Sequence, residues 1–507
     1  MAKADNGQAD GILDVLIVGA GISGIGAAWH LSTRCPGKTI AVFEALDSFG
    51  GTWKVHTYPG IRSDSDLYTF GYRFKPWVGP PIATADEILT YMQEVIDDNG
   101  LDRYIHYNHR ITKARWSSQE KVWTVSYETP DGPAEVKTRF LWMCQGYYDL
   151  DKGYTPDWPG MADFKGEIVH PQNWPDDIDL TGKKVVCIGS GATAATLIPN
   201  IADKCEHVTL LQRSPTYFIP GRNENELADE LRRLDIDETW IHEIVRRKVL
   251  LDQHEFTQRA KDEPEEVKAE LLEGVQAFLG EDFDMSHFTP RYRPWQQRLA
   301  FVPDGDIFQG IAAGKASVVT DQIDSFVPEG IKLTSGDVLE ADVIITATGF
   351  NLKFLGNIPF EIDGAAVDWN ERLTWRGMMI EDVPNMLFVF GYFRASWTLR
   401  VDLLGDFMVR LLEHMDTLGA VEIRPEVPAA QRGMERTSWM DPNDFNPGYL
   451  MRGQHLMPKR GNSPEWQHTQ DYWHEKEDLP KIDLDSAVFV YEDADGHVVG
   501  KHPADAA

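Results

Sequence analysis

At 507 residues the chain is too long for one compact core, so two or three domains are expected. Its 42% hydrophobic and 25% charged residues are ordinary for a soluble globular protein, and 16 Trp with 29 Pro favour long aromatic-lined loops over disorder. A formal charge of −31 argues against a nucleic-acid partner, because phosphate binding needs a basic surface, and disfavours anionic membranes for the same reason.

The N-terminal MAKADNGQADG lacks the charged and apolar regions of a signal peptide. No uninterrupted apolar run approaches the roughly 18 residues of a spanning helix. Four scattered cysteines (Cys35, Cys144, Cys187, Cys205) form no C-x-x-C pair, which fits a reducing cytoplasm and argues against a structural zinc site. A cytoplasmic, metal-free protein is expected.

In chain order, the first element is DVLIVGAGISGIGAAWHL, Asp14 to Leu31. Val15 to Val18 reads as a buried parallel strand, Gly19, Gly21 and Gly24 form G-x-G-x-x-G, and Ile25 to Leu31 continues as a helix. Gly19 allows the tight turn, Gly21 lets backbone approach a pyrophosphate, and Gly24 lets helix and strand pack closely. The pyrophosphate would sit at the helix N-terminus, where free N–H groups and the dipole favour an anion. A second strand, Thr39 to Phe43, ends in Glu44, 20 residues after Gly24, where a carboxylate accepts from a ribose 2′-OH. This selects an unphosphorylated ribose, so FAD or NAD.

GGTWKVHTYPGIRSDSDLY follows. Gly50 and Gly51 permit another close backbone approach, read as the flavin's ribityl-phosphate region. Arg62 and Asp64 lie two apart in a Pro-Gly loop. A fixed carboxylate there can orient a cation or hold a nicotinamide amide; the alternative is that Asp64 caps a turn and Arg62 is solvated. Trp123 to Glu128 reads as a hairpin strand and Phe140 to Gly146 as a buried strand, with a boundary through YYDLDKGYTPDWPG.

A second strand–turn–helix unit, KKVVCIGSGATAATLIPNI, carries Gly189, Gly191 and Ala194 as G-x-G-x-x-A. The next strand, His207 to Gln212, ends in Gln212, Arg213 and Ser214 in place of an acid. An Arg pairs with a 2′-phosphate, so this site reads as NADPH with Arg213 selecting and Ser214 assisting. Two nucleotide folds in one chain point to a flavin reduced by NADPH. A disulfide reductase would need a C-x₄-C near the first site, and residues 35–66 hold only Cys35, which leaves oxygen as the electron acceptor.

Residues 223–280 have helical spacing and a charge run read as a solvated face, with a possible lid function. Arg298 follows in RYRPWQQRLAFVPDGDIF; an Arg near a flavin would stabilise negative charge on oxygen. Ala341 to Phe350 is expected to return the chain to the FAD domain, Pro384 to Phe393 to add a strand there, and Val401 to Leu418 to form a helix. The acidic, aromatic tail from about residue 425 carries no legible chemistry.

Between the two Gly-rich units lies FKGEIVHPQNWP, with Phe164, Gly166, His170, Trp174 and Pro175 in F-x-G-x-x-x-H-x-x-x-W-P. Gly51, Trp53, Tyr58, Pro59, Gly60 and Asp64 form G-x-W-x-x-x-x-Y-P-G-x-x-x-D. Together these resemble the two fingerprints of class B flavoprotein monooxygenases, specifically type I Baeyer–Villiger monooxygenases. WQQRLAFVPDGDIF and GKASVVTDQID are similar to the ethionamide-activating subgroup.

The resemblance implies an α/β fold with two Rossmann-like domains, for FAD and NADPH, and a helical insertion. The expected partition is FAD-binding 1–147, NADP-binding 148–222, helical insertion 223–297, NADP-binding 298–344, then FAD-binding and tail 345–507. It further implies NADPH- and O₂-dependent insertion of oxygen beside a ketone carbonyl through an Arg-stabilised flavin peroxide, with thioether sulfoxidation as a side activity. Arg298 would be the catalytic Arg, Asp64 the acid positioning it, and His170 part of a hinge. Gly51, Trp53 and Asp64 join the cofactor-binding set. Gln297 departs from relatives that carry Lys there as a second 2′-phosphate ligand. The alternative is an N- or S-oxygenating flavin-containing monooxygenase using the protonated hydroperoxide.

Overall fold

Two sheets, each opening on one of the Gly-rich turns, organise the chain. The computed structural model describes residues 11–500; MAKADNGQAD, read above for targeting, lies outside the described residues.

The first sheet has nine strands with a parallel centre, where Met386–Phe388, Gly132–Met143, Ile12–Val18, Ile40–Phe43 and Ile105–His106 lie side by side. Val15, Leu16 and Ile17 are fully buried, as an unbroken apolar run should be when both faces are covered. Gly132–Met143 serves two partners on one edge. Its first half pairs antiparallel with Val122–Thr129, and its last residues pair with Met386–Phe388.

The second sheet is wholly parallel, in the order Ala316–Thr320, His207–Gln212, Lys184–Ile188, Val343–Thr346, Glu167–Val169. The stretch expected to return the chain to the FAD domain therefore first contributes Val343–Thr346 to this sheet. That correction has a plain cause: VIIT is buried at every position and packs between two strands of the second core. The return follows at Phe350–Leu352, antiparallel to the outgoing strand Tyr148–Gly153.

The insertion forms three helices, Glu226–Arg233, Glu238–Asp262 and Pro264–Leu279. The exposed side of the middle helix carries the Glu243–Arg247 and Lys248–Asp252 pairs. Its inner side contradicts a wholly solvated charge run. Arg246 is 5% exposed and donates to the carbonyls of Tyr68 and Gly71, both at 2.9 Å. His242 is buried beside it; Nδ1 accepts from the Trp77 N–H at 3.2 Å, and burial with the Arg246 charge pushes its pKa down to about 4. Pro264–Leu279 packs the other way, with Val275 in the core of the second sheet. The insertion is a strut docked on both halves.

Trp397–Leu418 packs on Ile22–Arg34 behind the first Gly turn, with His30 Nε2 3.2 Å from Asp402. The tail is tied back at buried points such as Arg400–Glu475, 3.0 Å. No helix among the described residues is long and apolar enough to cross a membrane.

Candidate active site

Each Gly of the first turn has a different reason to be Gly. Gly19 has φ +96°, and a Cβ there would lie 3.0 Å from the Cys144 carbonyl. At Gly24 a Cβ would lie 1.8 Å from the Gly19 oxygen, so helix and strand could not close. At Gly21 the nearest atom is 3.9 Å away, the Cα of Gly51. Protein packing does not explain Gly21; an open space above uncapped helix N–H groups does, and it fits a pyrophosphate. Gly50 donates to the Ala20 carbonyl at 3.0 Å, and Gly51, at φ +54°, faces Gly21 across the groove. Trp53 is half-buried, edge-on to Phe70 with ring centres 5.7 Å apart.

Glu44 accepts from the Ala20 N–H at 2.6 Å and the Leu46 N–H at 2.9 Å. Burial raises its pKa, opposed by those backbone donors. The carboxylate thereby ties the first turn to the end of the second strand.

The second turn repeats the logic. Gly189 has φ +128°, and a Cβ there would lie 2.2 Å from the Ala347 oxygen. Around Gly191 nothing comes within 4 Å, and no side chain caps the helix Ala192–Ile201. Ala194 is fully buried against the second core. At the end of the next strand, Gln212 turns inward and donates to the His287 carbonyl at 2.6 Å and to Thr320 at 3.0 Å. Arg213 and Ser214 are exposed, and Arg213 makes no hydrogen bond or ion pair among the described residues. Arg452, from the tail, lies 3.5 Å over the Tyr154 ring; burial and the Arg213 charge lower its pKa. Arg452 is thus a second cation within electrostatic reach of Arg213.

Arg298 and Asp64 meet across 234 residues in a two-point pair, Nε to Oδ2 at 2.7 Å and Nη2 to Oδ1 at 2.6 Å. Arg62 is not solvated: it binds Asp306 at 2.7 and 3.3 Å. Both charges of the Pro-Gly loop are thus committed to the segment 298–306. Burial opposes the Arg298 charge, but the Asp64 carboxylate outweighs it and holds the pKa above the ordinary Arg value. Tyr147 and Tyr449 lie within the electrostatic reach of this pair, and burial pushes both phenol pKa values up, so each stays a neutral donor. Tyr147 also stacks on Trp397 at 5.2 Å.

The central fingerprint does a different job. Phe164 is buried near Phe326, and a Cβ on Gly166 would meet the Asp342 oxygen at 2.2 Å. His170 Nδ1 accepts from the Gln172 N–H at 3.1 Å, which leaves Nε2–H to donate to the Gly349 carbonyl at 3.3 Å. Burial lowers its pKa, so it is a neutral link. A Cβ on Gly153 would fall 2.0 Å from that ring. His170 thus sits where the outgoing and returning strands cross, and its partners do not include the Arg298–Asp64 pair. Trp174 is half-buried against the second core. Among the described residues, Asp493, Asp495 and His497 have metal-like spacing, but they form a self-bonded surface turn.

Residues 17–77 match the NAD(P)-binding Rossmann-like domain family, and residues 75–231 match the flavin-binding monooxygenase-like family. The chain is 44% identical over 463 residues to the FAD-containing monooxygenase EthA of Mycolicibacterium smegmatis, covering 91% of this chain and 93% of that one. It is 41% identical over 494 residues to the probable FAD-binding monooxygenase AlmA of an Acinetobacter species, covering 97% and 98%. The chain belongs to the FAD-containing monooxygenase family. FAD and NADP(H) are accordingly its cofactors, and the open cradles at Gly21 and Gly191 fit them. The fold of this monooxygenase is that of oxidized steroid monooxygenase bound to NADP, with TM-score 0.73 and 24% identity over 95% of this chain and 99% of that one. Cyclohexanone monooxygenase from Rhodococcus sp. Phi1 bound to NADP⁺ gives TM-score 0.73 and 20% identity, again over 95% and 99%. The α/β class with two Rossmann-like units and the resemblance to class B monooxygenases agree with the sequence expectation.

Sequence reasoning missed Tyr147, Tyr449 and Arg452. Each reaches its neighbours through long-range folding, and two lie in the tail that carried no motif.

Proposed function

We propose that this monooxygenase inserts one atom of O₂ beside a ketone carbonyl: ketone, O₂, NADPH and a proton give ester or lactone, NADP⁺ and water. The observation that carries this reading is the bidentate Arg298–Asp64 pair. FAD, reduced by NADPH, supplies the oxygen activation.

The chain's own residues do the rest. Arg298 keeps its charge at every working pH and favours negative, nucleophilic oxygen over the protonated, electrophilic form. Asp64 holds two of the three guanidinium nitrogens, Nε and Nη2, so the cation cannot swing away. Tyr147 and Tyr449, neutral donors, exclude water on the same side. Arg213 reads the NADPH 2′-phosphate, with Ser214 beside it, and His170 couples the two units at their crossing. Gly19, Gly21, Gly24, Glu44, Gly51 and Trp53 line the FAD site; Gly189, Gly191 and Ala194 form the NADPH turn. In this reading the FAD-binding and NADP-binding units take the boundaries given above, except that the NADP-binding unit runs on to Thr346, because Val343–Thr346 pairs with Lys184–Ile188.

Thioethers are side substrates in this account. Aerobic incubation with NADPH and a panel of ketones and thioethers, read by mass spectrometry, tests it. Esters from ketones are the expected product; sulfoxides alone would assign the protein to the electrophilic N- or S-oxygenating class.

A further inference from the structure

Trp295, three residues before Arg298, has φ +60°. A bulky residue rarely adopts this left-handed conformation, and it persists only where the surroundings hold it. Arg394 is what holds it. Arg394 is 8% exposed and stands just before the helix Trp397–Leu418, where the neighbouring Phe393 N–H is fixed by Gln470 at 2.9 Å. Its Nε and Nη2 donate to the Trp295 carbonyl at 3.3 and 3.1 Å.

The same guanidinium grips the tail. Nη1 donates to Asp444 Oδ2 at 2.9 Å and Nη2 to the Asp444 carbonyl at 2.8 Å, with the Phe445 ring 5.1 Å beneath. Arg293 binds Asp444 from the other side at 3.2 Å. Two further bonds close the seam: the Asn446 N–H donates to the Gln296 carbonyl at 2.9 Å, and Gln297 donates to Asn446 at 3.3 Å. Tyr449 follows three residues later. The turn 293–298 and the segment 444–449 are therefore one unit with Arg394 between them.

We propose that Arg394 is a positioning residue, a clamp that docks the tail onto the 293–298 turn and thereby sets Arg298 and Tyr449 together. It acts through Trp295, Asp444 and the Phe445 ring. Only a planar fork reaches a carbonyl on one side and a carboxylate on the other, so Lys cannot replace it. The Gln297 side chain is turned to this seam. The link from clamp to product rests on the ketone-oxygenating reading above; the link from clamp to segment order does not.

The test uses the full FAD-loaded chain with Arg394→Met, Arg394→Lys and Asp444→Asn. Hydrogen–deuterium exchange should rise jointly in peptides covering 293–298 and 444–449 in Arg394→Met, with both sheets unchanged. Anaerobic flavin reduction by NADPH should stay within about twofold, while ester formed from phenylacetone per NADPH consumed falls by about tenfold or more and H₂O₂ rises, as displacement of a positioned group predicts. Arg394→Lys should match Arg394→Met. Arg394→Met combined with Asp444→Asn should cost less than the sum of the two, because both break the Arg394–Asp444 link while Asp444→Asn also weakens the Arg293 pair. Should Arg394→Met fail to fold, Asp444→Asn carries the test, since that side chain is 47% exposed. Unchanged exchange in either segment, or unchanged product per NADPH with a merely lower melting temperature, overturns the proposal. A wild type that makes ester from no ketone defeats the Baeyer–Villiger reading, and the exchange data still decide the clamp.

Discussion

Gly191→Ala should separate cofactor binding from folding. The residue has ordinary extended angles, φ −83° and ψ −176°, and an added Cβ meets nothing within 4 Å. Ala is a poorer helix N-cap than Gly by about 0.5 kcal/mol, which the reduced unfolded-state entropy of about 0.4–1 kcal/mol offsets. The NADP(H)-free melting temperature should therefore move by no more than about 2 °C. The same Cβ occupies the space above the uncapped helix N–H groups, and displacing a phosphate loses one or two charge-assisted hydrogen bonds of about 1.5–3 kcal/mol each. At a loss of about 3 kcal/mol, the NADPH concentration that half-saturates flavin reduction should rise about 100-fold. Gly189→Ala is the contrast: φ +128° and a contact of 2.2 Å with the Ala347 oxygen predict a loss of folding itself. Stopped-flow reduction under anaerobic conditions, with melting curves of both variants, decides. A Gly191→Ala melting loss as large as that of Gly189→Ala, or unchanged NADPH saturation, would refute the assignment of that space to the cofactor.

Arg298→Ala should leave flavin reduction by NADPH intact and abolish ester formation; normal ester yield removes Arg298 from the mechanism. Arg213→Ala should raise the KM for NADPH far more than that for NADH, and equal changes would show that Arg213 does not read the 2′-phosphate. His242 concerns stability. Its folded pKa of about 4 lies below the ordinary 6.5, so the unfolded chain takes up the proton first as pH falls. Stability is full above pH 6.5 and falls as pH drops towards about 4, by up to about 3 kcal/mol. Thermal melts between pH 7 and 5 should flatten in His242→Gln; an unchanged slope would assign that pH dependence elsewhere.

What the sequence made legible is what backbone geometry forces. A Cβ at Gly19, Gly24 or Gly189 would lie 3.0 Å or less from a carbonyl oxygen, and such glycines between a buried strand and a helix, with Glu44 or Arg213 after the next strand, mark both nucleotide units. Asp64 was readable because a fixed-spacing fingerprint ends on it, and Arg298 only because WQQRLAFVPDGDIF resembles the ethionamide-activating subgroup; nothing local says that they meet. Arg394, Asp444 and Tyr449 had no such signal. The hydrogen bonds of Arg394 and Asp444 span 50 to 151 residues and Tyr449 meets Tyr147 from farther still, and an aromatic, acidic tail looks the same whether it wraps the site or trails in solvent. Arg246 misled for a related reason. In a charge run its neighbours Arg247 and Lys248 are solvated, and only the docking of the helix on the Tyr68 and Gly71 carbonyls distinguishes it. The Val343–Thr346 strand shows that a buried apolar run identifies a strand but not its sheet.

The most direct measurement is aerobic turnover of the FAD-loaded protein with NADPH and phenylacetone under ¹⁸O₂, products read by mass spectrometry. The account predicts benzyl acetate carrying one ¹⁸O per molecule, made by the wild type and not by Arg298→Ala. Phenylacetone and a panel of aliphatic ketones left unchanged, while methyl phenyl sulfide becomes labelled sulfoxide, would contradict it.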